Sequence, residues 1–257
     1  MPVKLNYQIL GEGDPAMILH GLFGSLSNWN PVAKKLAERF QVISVDLRNH
    51  GGSEHAAGMT YPDMVEDLLA LVTDLALSRV NLIGHSMGGK AAMGFALTHP
   101  GLTNKLVVVD AAPVAYEPAF HDYISAMQAV PLDEIKTRNE AERHLAGTVP
   151  EAVIRQFLLQ NLVRGEHGFA WRINLEALGR DLETISGFPQ AWPNESFTDP
   201  VCFLAGEYSD YIKPEYGEII AGLFPAARIQ MIEGTGHWVH AEKPEEVINH
   251  ITAFLQQ

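Results

Sequence analysis

The feature that most constrains the fold of this chain is the motif Gly84-His85-Ser86-Met87-Gly88, a Gly-x-Ser-x-Gly sequence. The apolar run Val80–Ile83 predicts a buried strand before it, and Gly88–His99 predicts a helix after it. A strand that passes directly into a helix at a serine needs a very sharp bend, which lifts the hydroxyl clear of the sheet. Glycines are needed on both sides because side chains there would collide across the bend. Ser86 is therefore a candidate nucleophile.

Short apolar runs alternate with helical patterns along most of the chain, which predicts a mostly parallel sheet covered by helices on both faces. The predicted strands are Ala16–His20, Val42–Leu47, Val80–Ile83, Lys105–Ala111, Val201–Ala205 and Arg228–Ile232. The predicted helices are Pro31–Phe40, Tyr61–Leu77, Gly88–His99 and Pro244–Leu255. The more polar opening, Lys4–Leu10, predicts an antiparallel edge strand.

The stretch from Pro113 to Asp199 interrupts this alternation, because it contains no convincing long strand. Its helical patterns are Phe120–Val130, Asp133–Leu145, Glu151–Val163 and Leu175–Ile185. We predict that residues 113–199 are a helical cap inserted over one end of the sheet, and that residues 1–112 and 200–257 form the core. The alternative is further doubly wound core, against which the lack of strands counts.

Charge and motif content exclude several classes of function. The 257 residues carry 18 Lys and Arg against 31 Asp and Glu, a net charge of −13. This balance argues against nucleic acid and anionic membrane surfaces as partners. No metal-ligand spacing and no glycine-rich phosphate motif occurs, so neither a metal nor a cofactor is expected. A single cysteine, Cys202, and no signal-peptide pattern predict a cytoplasmic protein without membrane insertion.

A serine hydroxyl needs a base to become a nucleophile. The candidate is His237, which follows Gly234-Thr235-Gly236 and lies between the last predicted strand and the last predicted helix. These glycines permit a loop that brings the imidazole back to the edge of the sheet. His240 is the nearby competitor, and the flanking glycines favour His237.

The base in turn needs an acid that orients its ring. Asp110 ends the apolar run Lys105–Val109, and Asp210 lies just beyond Val201–Ala205. Both follow strands, so both are predicted at the carboxyl edge of the sheet, where open α/β sheets bind their ligands. Both also preserve the chain order serine, acid, histidine. The residues alone leave the two aspartates open.

A tetrahedral intermediate needs hydrogen-bond donors for its oxyanion. We predict the backbone N–H of Met87, directly after the candidate nucleophile, as one donor. The loop His20–Ser25 follows another strand, and the N–H of Leu22 in this loop is the predicted second donor.

Four segments together resemble the α/β-hydrolase superfamily over essentially the whole chain, and YbfF-type bacterial esterases in particular. They are His20-Gly21-Leu22-Phe23-Gly24-Ser25, Asp46-Leu47-Arg48-Asn49-His50-Gly51, Gly84-His85-Ser86-Met87-Gly88-Gly89-Lys90 and Gly236-His237-Trp238-Val239-His240-Ala241-Glu242-Lys243-Pro244. The resemblance implies an α/β-hydrolase fold with an eight-stranded, mostly parallel sheet, a helical cap and a Ser–Asp–His triad. It favours Asp110 as the acid, because the subgroup places the acid after the strand before the cap. The wider superfamily uses the position that Ser209 holds here.

The expected activity is hydrolysis of a small-molecule carboxylic ester, or of an acyl thioester, through an acyl-enzyme on Ser86. C–C bond hydrolysis or lyase chemistry on the same fold is the alternative, and a binding protein without turnover is a further one. Ser86 excludes the dehalogenases and epoxide hydrolases of this fold, which need aspartate there. Candidate substrate contacts are Phe23, Phe157, Trp171 and Trp238. The protein is expected to be a monomer or homodimer.

Overall fold

A twisted sheet of seven strands lies at the centre of the computed structural model, which describes residues 1–165, 168–189, 192 and 196–257. The strand order is β1-β3-β2-β4-β5-β8-β9, and only β1 runs antiparallel to its neighbour. The strands are β1 (Tyr7–Leu10), β2 (Pro15–Leu19), β3 (Gln41–Val45), β4 (Val80–His85), β5 (Thr103–Val109), β8 (Val201–Gly206) and β9 (Ala227–Ile232).

Helices cover both faces of the sheet. The helices of the described residues are α1 (Asn30–Leu36), α2 (Tyr61–Asp74), α3 (Met87–Thr98), α4 (His121–Gln128), α5 (Arg138–Leu145), α6 (Ala152–Leu159), α7 (Leu175–Ser186), α8 (Gly217–Leu223), α9 (Val239–Glu242) and α10 (Pro244–Leu255). Successive strand residues point to opposite faces. In β4, Leu82 packs into the cluster that contains α2 and α3, whereas Ile83 packs into the cluster that contains α1 and α10. The α/β-hydrolase architecture is confirmed.

The sheet has one strand fewer, in the described part of the chain, than the eight that the resemblance implies. The predicted strand Lys4–Leu10 is shorter, because β1 begins only at Tyr7. The preceding N–H groups donate instead to side chains, that of Val3 to Asp67 Oδ1 at 2.7 Å and that of Asn6 to Ser53 Oγ at 2.8 Å. Donors that are satisfied by side chains cannot also form a ladder with another strand.

Between β5 and β8 the described residues add no strand to the central sheet, but they do contain a small hairpin. Strand β6 (Leu162–Gly165) pairs antiparallel with β7 (Gly168–Trp171). The predicted helix Glu151–Val163 is therefore too long, because α6 ends at Leu159 and the chain continues into β6. The start of the predicted helix Asp133–Leu145 is also wrong, since α5 begins after Thr137, whose side chain accepts the Glu140 N–H. The division into core and cap remains a prediction.

No helix within the described ranges is both long enough and apolar enough to cross a bilayer.

Candidate active site

Ser86 lies at the bend between β4 and α3. Its backbone dihedrals are φ 52° and ψ −118°, a strained conformation for a residue with a side chain. A Cβ on Gly84 would lie 2.3 Å from the Gly88 carbonyl oxygen, and a Cβ on Gly88 would lie 2.5 Å from the Leu19 carbonyl oxygen. Both positions are therefore closed to side chains, as the motif predicts. The bend presents the Ser86 hydroxyl at the carboxyl end of β4.

The His237 imidazole lies between Ser86 and Asp110. Its Nε2 is 3.1 Å from Ser86 Oγ, and its Nδ1 is 2.7 Å from Asp110 Oδ2. A carboxylate can only accept here, so the Nδ1–H donates to Asp110 and Nε2 is left to accept the Ser86 hydroxyl proton. The Tyr211 ring stacks on the imidazole with centroids 4.0 Å apart. These contacts fix the ring in the tautomer that a general base needs.

The two candidate acids lie in different environments. Asp110 is fully buried beyond the end of β5, and its Oδ1 accepts the Gly206 N–H at 3.0 Å. Its Oδ2 accepts from His237 and from the Ser209 hydroxyl. The side chain of Asp210 is 92% exposed and pairs with Lys213 at 3.4 Å. The structure thus brings Asp110, but not Asp210, to the imidazole.

The ring of His240, the competing histidine, has its centroid 4.5 Å from that of His85. Its ring stacks on that of Trp29 at a centroid distance of 4.3 Å and with 3° between the planes. Burial lowers the pKa of His240 to about 3, so it stays neutral. Within the described residues, its Nδ1 has no hydrogen-bond partner.

The predicted oxyanion donors are both close to Ser86 in the chain or in space. Met87 is the first residue of α3, so its N–H has no acceptor within the helix. Leu22 lines the same cleft as Ser86. In the described ranges, neither N–H takes part in a hydrogen bond of the turns and loops. Their role as oxyanion donors stays a prediction.

The loop that carries Leu22 is held from several sides. Phe23 has a positive φ of 61°, its N–H donates to His50 Nε2 at 3.3 Å, and its carbonyl accepts the Asn161 amide at 2.7 Å. His20 donates from Nδ1 to the Gly21 carbonyl at 2.8 Å and accepts the Leu47 N–H on Nε2 at 3.0 Å. These bonds fix the loop backbone next to the nucleophile.

A cavity opens onto Ser86 and His237. Of the predicted substrate contacts, Phe23, Phe157 and Trp238 line it. Trp171 does not line it; its indole N–H donates to the Met127 carbonyl at 2.9 Å, and its role as a substrate contact stays a prediction. Further apolar or aromatic lining comes from Leu22, Phe120, Tyr123, Ile154 and Leu158.

Comparisons with known proteins agree with this geometry. Residues 15–244 match the family described as alpha/beta hydrolase fold. The chain belongs to the α/β-hydrolase family. It is 43% identical to the sn-1-specific diacylglycerol lipase ABHD11 of Mus musculus, over 99% of this chain and 86% of that protein. It is 38% identical to the esterase YbfF of Escherichia coli strain K12, over 95% and 94%. Among solved structures, a marine microorganism esterase aligns with a TM-score of 0.94 at 38% identity, covering 98% of this chain and 99% of that one.

The cavity of this α/β hydrolase has a mostly apolar lining. No Lys, Arg, Asp or Glu of the described residues lines it. Burial lowers the pKa of His20 and of His85, so these two lining histidines stay uncharged. A neutral, apolar cavity favours an uncharged substrate, because a charge placed there would lose its hydration without gaining a partner.

Three residues of the site are absent from the sequence prediction. Ser209 donates to Asp110, and Tyr211 packs on His237. The Nε2–H of His85 donates to the His237 carbonyl at 2.9 Å. Only His85 lies in a recognised motif. The resemblance points to the position of Ser209 as the usual place of the acid, whereas Tyr211 meets the site through a loop whose path the sequence pattern does not reveal.

Proposed function

We propose that this α/β hydrolase cleaves neutral carboxylic esters through an acyl-enzyme on Ser86. One observation carries the proposal: Ser86 Oγ, the His237 imidazole and Asp110 Oδ2 form a continuous hydrogen-bonded row, with separations of 3.1 Å and 2.7 Å. This arrangement joins a nucleophile, a base and an acid that orients the base.

In the first half of the reaction, Ser86 Oγ attacks the ester carbonyl carbon while His237 Nε2 accepts its proton. The former carbonyl oxygen becomes an oxyanion, for which the N–H groups of Leu22 and Met87 are the proposed donors. Asp110 stabilises the imidazolium that has formed. The bond to the alcohol oxygen then breaks, and His237 returns the proton to this leaving group.

In the second half, water replaces the alcohol. His237 removes a proton from the water, whose oxygen attacks the acyl-enzyme carbonyl. The same two N–H groups bind the second oxyanion, and the bond to Ser86 Oγ breaks as the serine regains its proton from His237. The products are a carboxylic acid and an alcohol.

The cavity and the relatives support an acyl chain as the group that is bound. The relatives are named as a diacylglycerol lipase and as an esterase, both of which act on carboxylic esters. We infer that residues 113–199 act as a cap, since Phe120, Ile154 and Phe157 of this segment form one wall of the cavity. Acyl thioesters would follow the same chemistry. Coenzyme A is a less suitable carrier, because the cap segment has seven Lys and Arg against thirteen Asp and Glu.

The nucleophile and the base are tested with matched variants on p-nitrophenyl esters of graded acyl length. Ser86→Ala and His237→Gln are each expected to lower kcat by several orders of magnitude, roughly 10⁴-fold or more. His240→Gln removes a buried histidine three residues away and should keep far more activity than His237→Gln. A fluorophosphonate probe should label wild type but not Ser86→Ala. Full hydrolysis by Ser86→Ala, or equal losses in the two histidine variants, would contradict the proposal.

Substrate charge is tested with two esters of equal chain length, one ending in a methyl group and one in a carboxylate. The neutral cavity predicts a kcat/KM at least about tenfold higher for the methyl-terminated ester. Oxygen esters and thioesters with the same acyl group are then compared directly. A preference for the carboxylate ester would contradict the proposed substrate class.

We further propose a cytoplasmic enzyme that works as a monomer or homodimer on small-molecule substrates. The free, buried thiol of Cys202 is compatible with a reducing compartment. Fractionation of cells and the mass of the protein in solution test these two points.

A further inference from the structure

Lys90 is a buried cation close to the nucleophile, and the proposed mechanism does not use it. It lies in the first turn of α3, and its N–H donates to the Ser86 carbonyl at 3.0 Å. Only 2% of the residue is exposed. Its side chain points away from the hydrogen-bonded row, toward the base of the 113–199 segment.

The ammonium of Lys90 donates to three backbone carbonyls from two distant parts of the chain. Nζ lies 2.8 Å from the Val114 oxygen, where the segment leaves the sheet. It also lies 2.8 Å from the Ser186 oxygen and 2.7 Å from the Gly187 oxygen, where α7 ends. The Tyr116 N–H donates to the same Ser186 oxygen at 2.9 Å. A single side chain thus joins the start of the segment and the end of α7 to α3, the helix that follows Ser86.

An ammonium in such a place is unusual, because buried charges are normally paired with an opposite charge. Within the described ranges Lys90 forms no ion pair. Its remaining contact is the Tyr116 ring, whose centroid is 4.1 Å from Nζ. Burying this charge lowers stability, so a gain in global stability does not explain why a lysine occupies the position.

We propose that Lys90 is a positioning residue whose ammonium fastens the start of the 113–199 segment and the end of α7 to α3 and so sets the position of this segment over Ser86. The structural part of this inference stands on the three carbonyl contacts alone. Its consequence for catalysis rests on the proposed function.

A series of contacts connects Lys90 with His237, the proposed base. Tyr116, which lies over the ammonium, accepts the Ala112 N–H on its hydroxyl oxygen at 2.6 Å and donates to the Tyr211 carbonyl at 2.7 Å. The Tyr211 ring packs on His237. Release of the segment ends would therefore disturb both the cavity wall and the packing of the imidazole.

The contact depends on the protonation state of the amine. An ammonium has three N–H donors, one for each carbonyl, whereas a neutral amine has two and directs its lone pair at the third oxygen. Burial lowers the pKa of Lys90 to about 7, so the three-way contact weakens as pH rises through neutrality. The titratable groups that share its cleft are Glu117, from the segment itself, and the hydroxyls of Tyr61, Tyr116 and Tyr211. Burial raises the pKa of all three tyrosines, so they stay neutral over this range.

Hydrogen exchange on a matched pair of variants tests the inference. Lys90→Met removes the charge and keeps a linear side chain. Lys105→Met is the control, because Lys105 Nζ also donates to two backbone carbonyls, those of Phe254 and Leu255, but at the end of α10. We expect exchange at 113–118 and 185–189 to be at least about tenfold faster in Lys90→Met than in wild type, and unchanged there in Lys105→Met. Equal exchange in the two variants at these ends would overturn the inference.

The wild-type protein provides a second test that does not depend on the folding of a variant. After correction for intrinsic exchange rates, the protection of 113–118 and 185–189 relative to β4 should fall between pH 6 and pH 8.5. Constant relative protection would overturn the inference.

Kinetics distinguish this inference from the proposed function. In Lys90→Met, KM for long-chain esters should rise more than KM for acetyl esters, with labelling of Ser86 by a fluorophosphonate retained. If Ser86→Ala were fully active, the proposed function would fail while the exchange results still decided the role of Lys90. If KM rose equally for both esters, the catalytic consequence would be wrong.

Discussion

The Ser209 hydroxyl donates a hydrogen bond to Asp110 Oδ2, although the two residues lie 99 positions apart. The same oxygen accepts the Nδ1–H of His237 at 2.7 Å. In the wider α/β-hydrolase superfamily, the acid usually occupies the position that Ser209 holds here. Two places in the chain, one after β5 and one after β8, therefore converge on one point beside the imidazole.

This convergence predicts that the acid can be moved from one position to the other. Asp110→Asn should lower kcat by about four orders of magnitude, because the amide no longer orients the imidazole in the required tautomer. The double variant Asp110→Asn with Ser209→Asp should recover at least about tenfold of this loss. The new carboxylate would lie at position 209, whose side chain already contacts residue 110 beside the imidazole. Steady-state kinetics on a p-nitrophenyl ester measure both. A folded double variant that is no faster than Asp110→Asn would refute the prediction.

The control for this exchange is Asp210→Asn. Its carboxylate is solvated and forms only an exposed pair with Lys213. Because exposed pairs contribute little, activity should stay within about twofold of wild type.

Removing the Ser209 hydroxyl alone should have a smaller effect. In Ser209→Ala, Asp110 loses one donor but keeps the Gly206 N–H and His237. We expect kcat to fall by about tenfold with KM nearly unchanged, because a less firmly held carboxylate affects the reaction and not the apolar cavity. Saturation kinetics on one ester separate the two constants. A rise in KM with constant kcat would show that Ser209 contributes to substrate binding instead.

The order of strands and helices in the core could be predicted because each element has its own local signal. In the run Val80–Ile83 only Asn81 is polar, because both faces of β4 are buried. The hairpin of β6 and β7 has no such signal. Leu162 and Val163 continue the apolar spacing of the helix before them, and pairing of Val163 with Ala170 decides their conformation. A contact between two short segments is not visible in the periodicity of either one.

In the candidate site too, some residues have a local sequence signal and others are placed by contacts between distant segments. Ser86 and His237 are marked by glycines that their own loops require, so the sequence identifies them directly. Asp110 and Asp210 both follow strands, and only the packing of β5 against β8 separates a buried carboxylate from an exposed one. Trp171 is aromatic and lies in the 113–199 segment, but its indole N–H donates to the Met127 carbonyl and the ring does not line the cavity. Side-chain direction within a packed helical segment depends on neighbours that are remote in sequence.

Two glycine-to-alanine changes in helices should have opposite effects on the free energy of unfolding, because only Gly88 lies at the crowded bend next to Ser86. Gly88→Ala should destabilise the protein by several kcal/mol, roughly 2 to 4, because the new Cβ would meet the backbone of β2. Gly222→Ala, in α8, meets no atom within 4 Å and should stabilise it by about 0.5 to 1 kcal/mol. Urea denaturation of both variants checks the signs. A Gly88→Ala variant as stable as wild type would mean that the bend is more accommodating than its contacts indicate.

We predict that deprotonation of Lys90 has opposite effects on two quantities. As pH rises, the protection of 113–118 and 185–189 from hydrogen exchange should fall, whereas the free energy of unfolding of the whole protein should rise. Burial lowers the pKa of Lys90 in the folded protein to about 7 from an ordinary value of 10.5. Between these pH values the unfolded chain binds a proton that the folded protein lacks, so the free energy of unfolding rises with pH. Wild type should therefore gain stability relative to Lys90→Met between pH 7 and pH 10, and the difference should be constant below pH 6. Urea midpoints of the two proteins at pH 5.5, 7 and 9.5 measure this. A difference that shrinks as pH rises would mean that the folded protein holds the proton on Lys90 more tightly than the unfolded chain does.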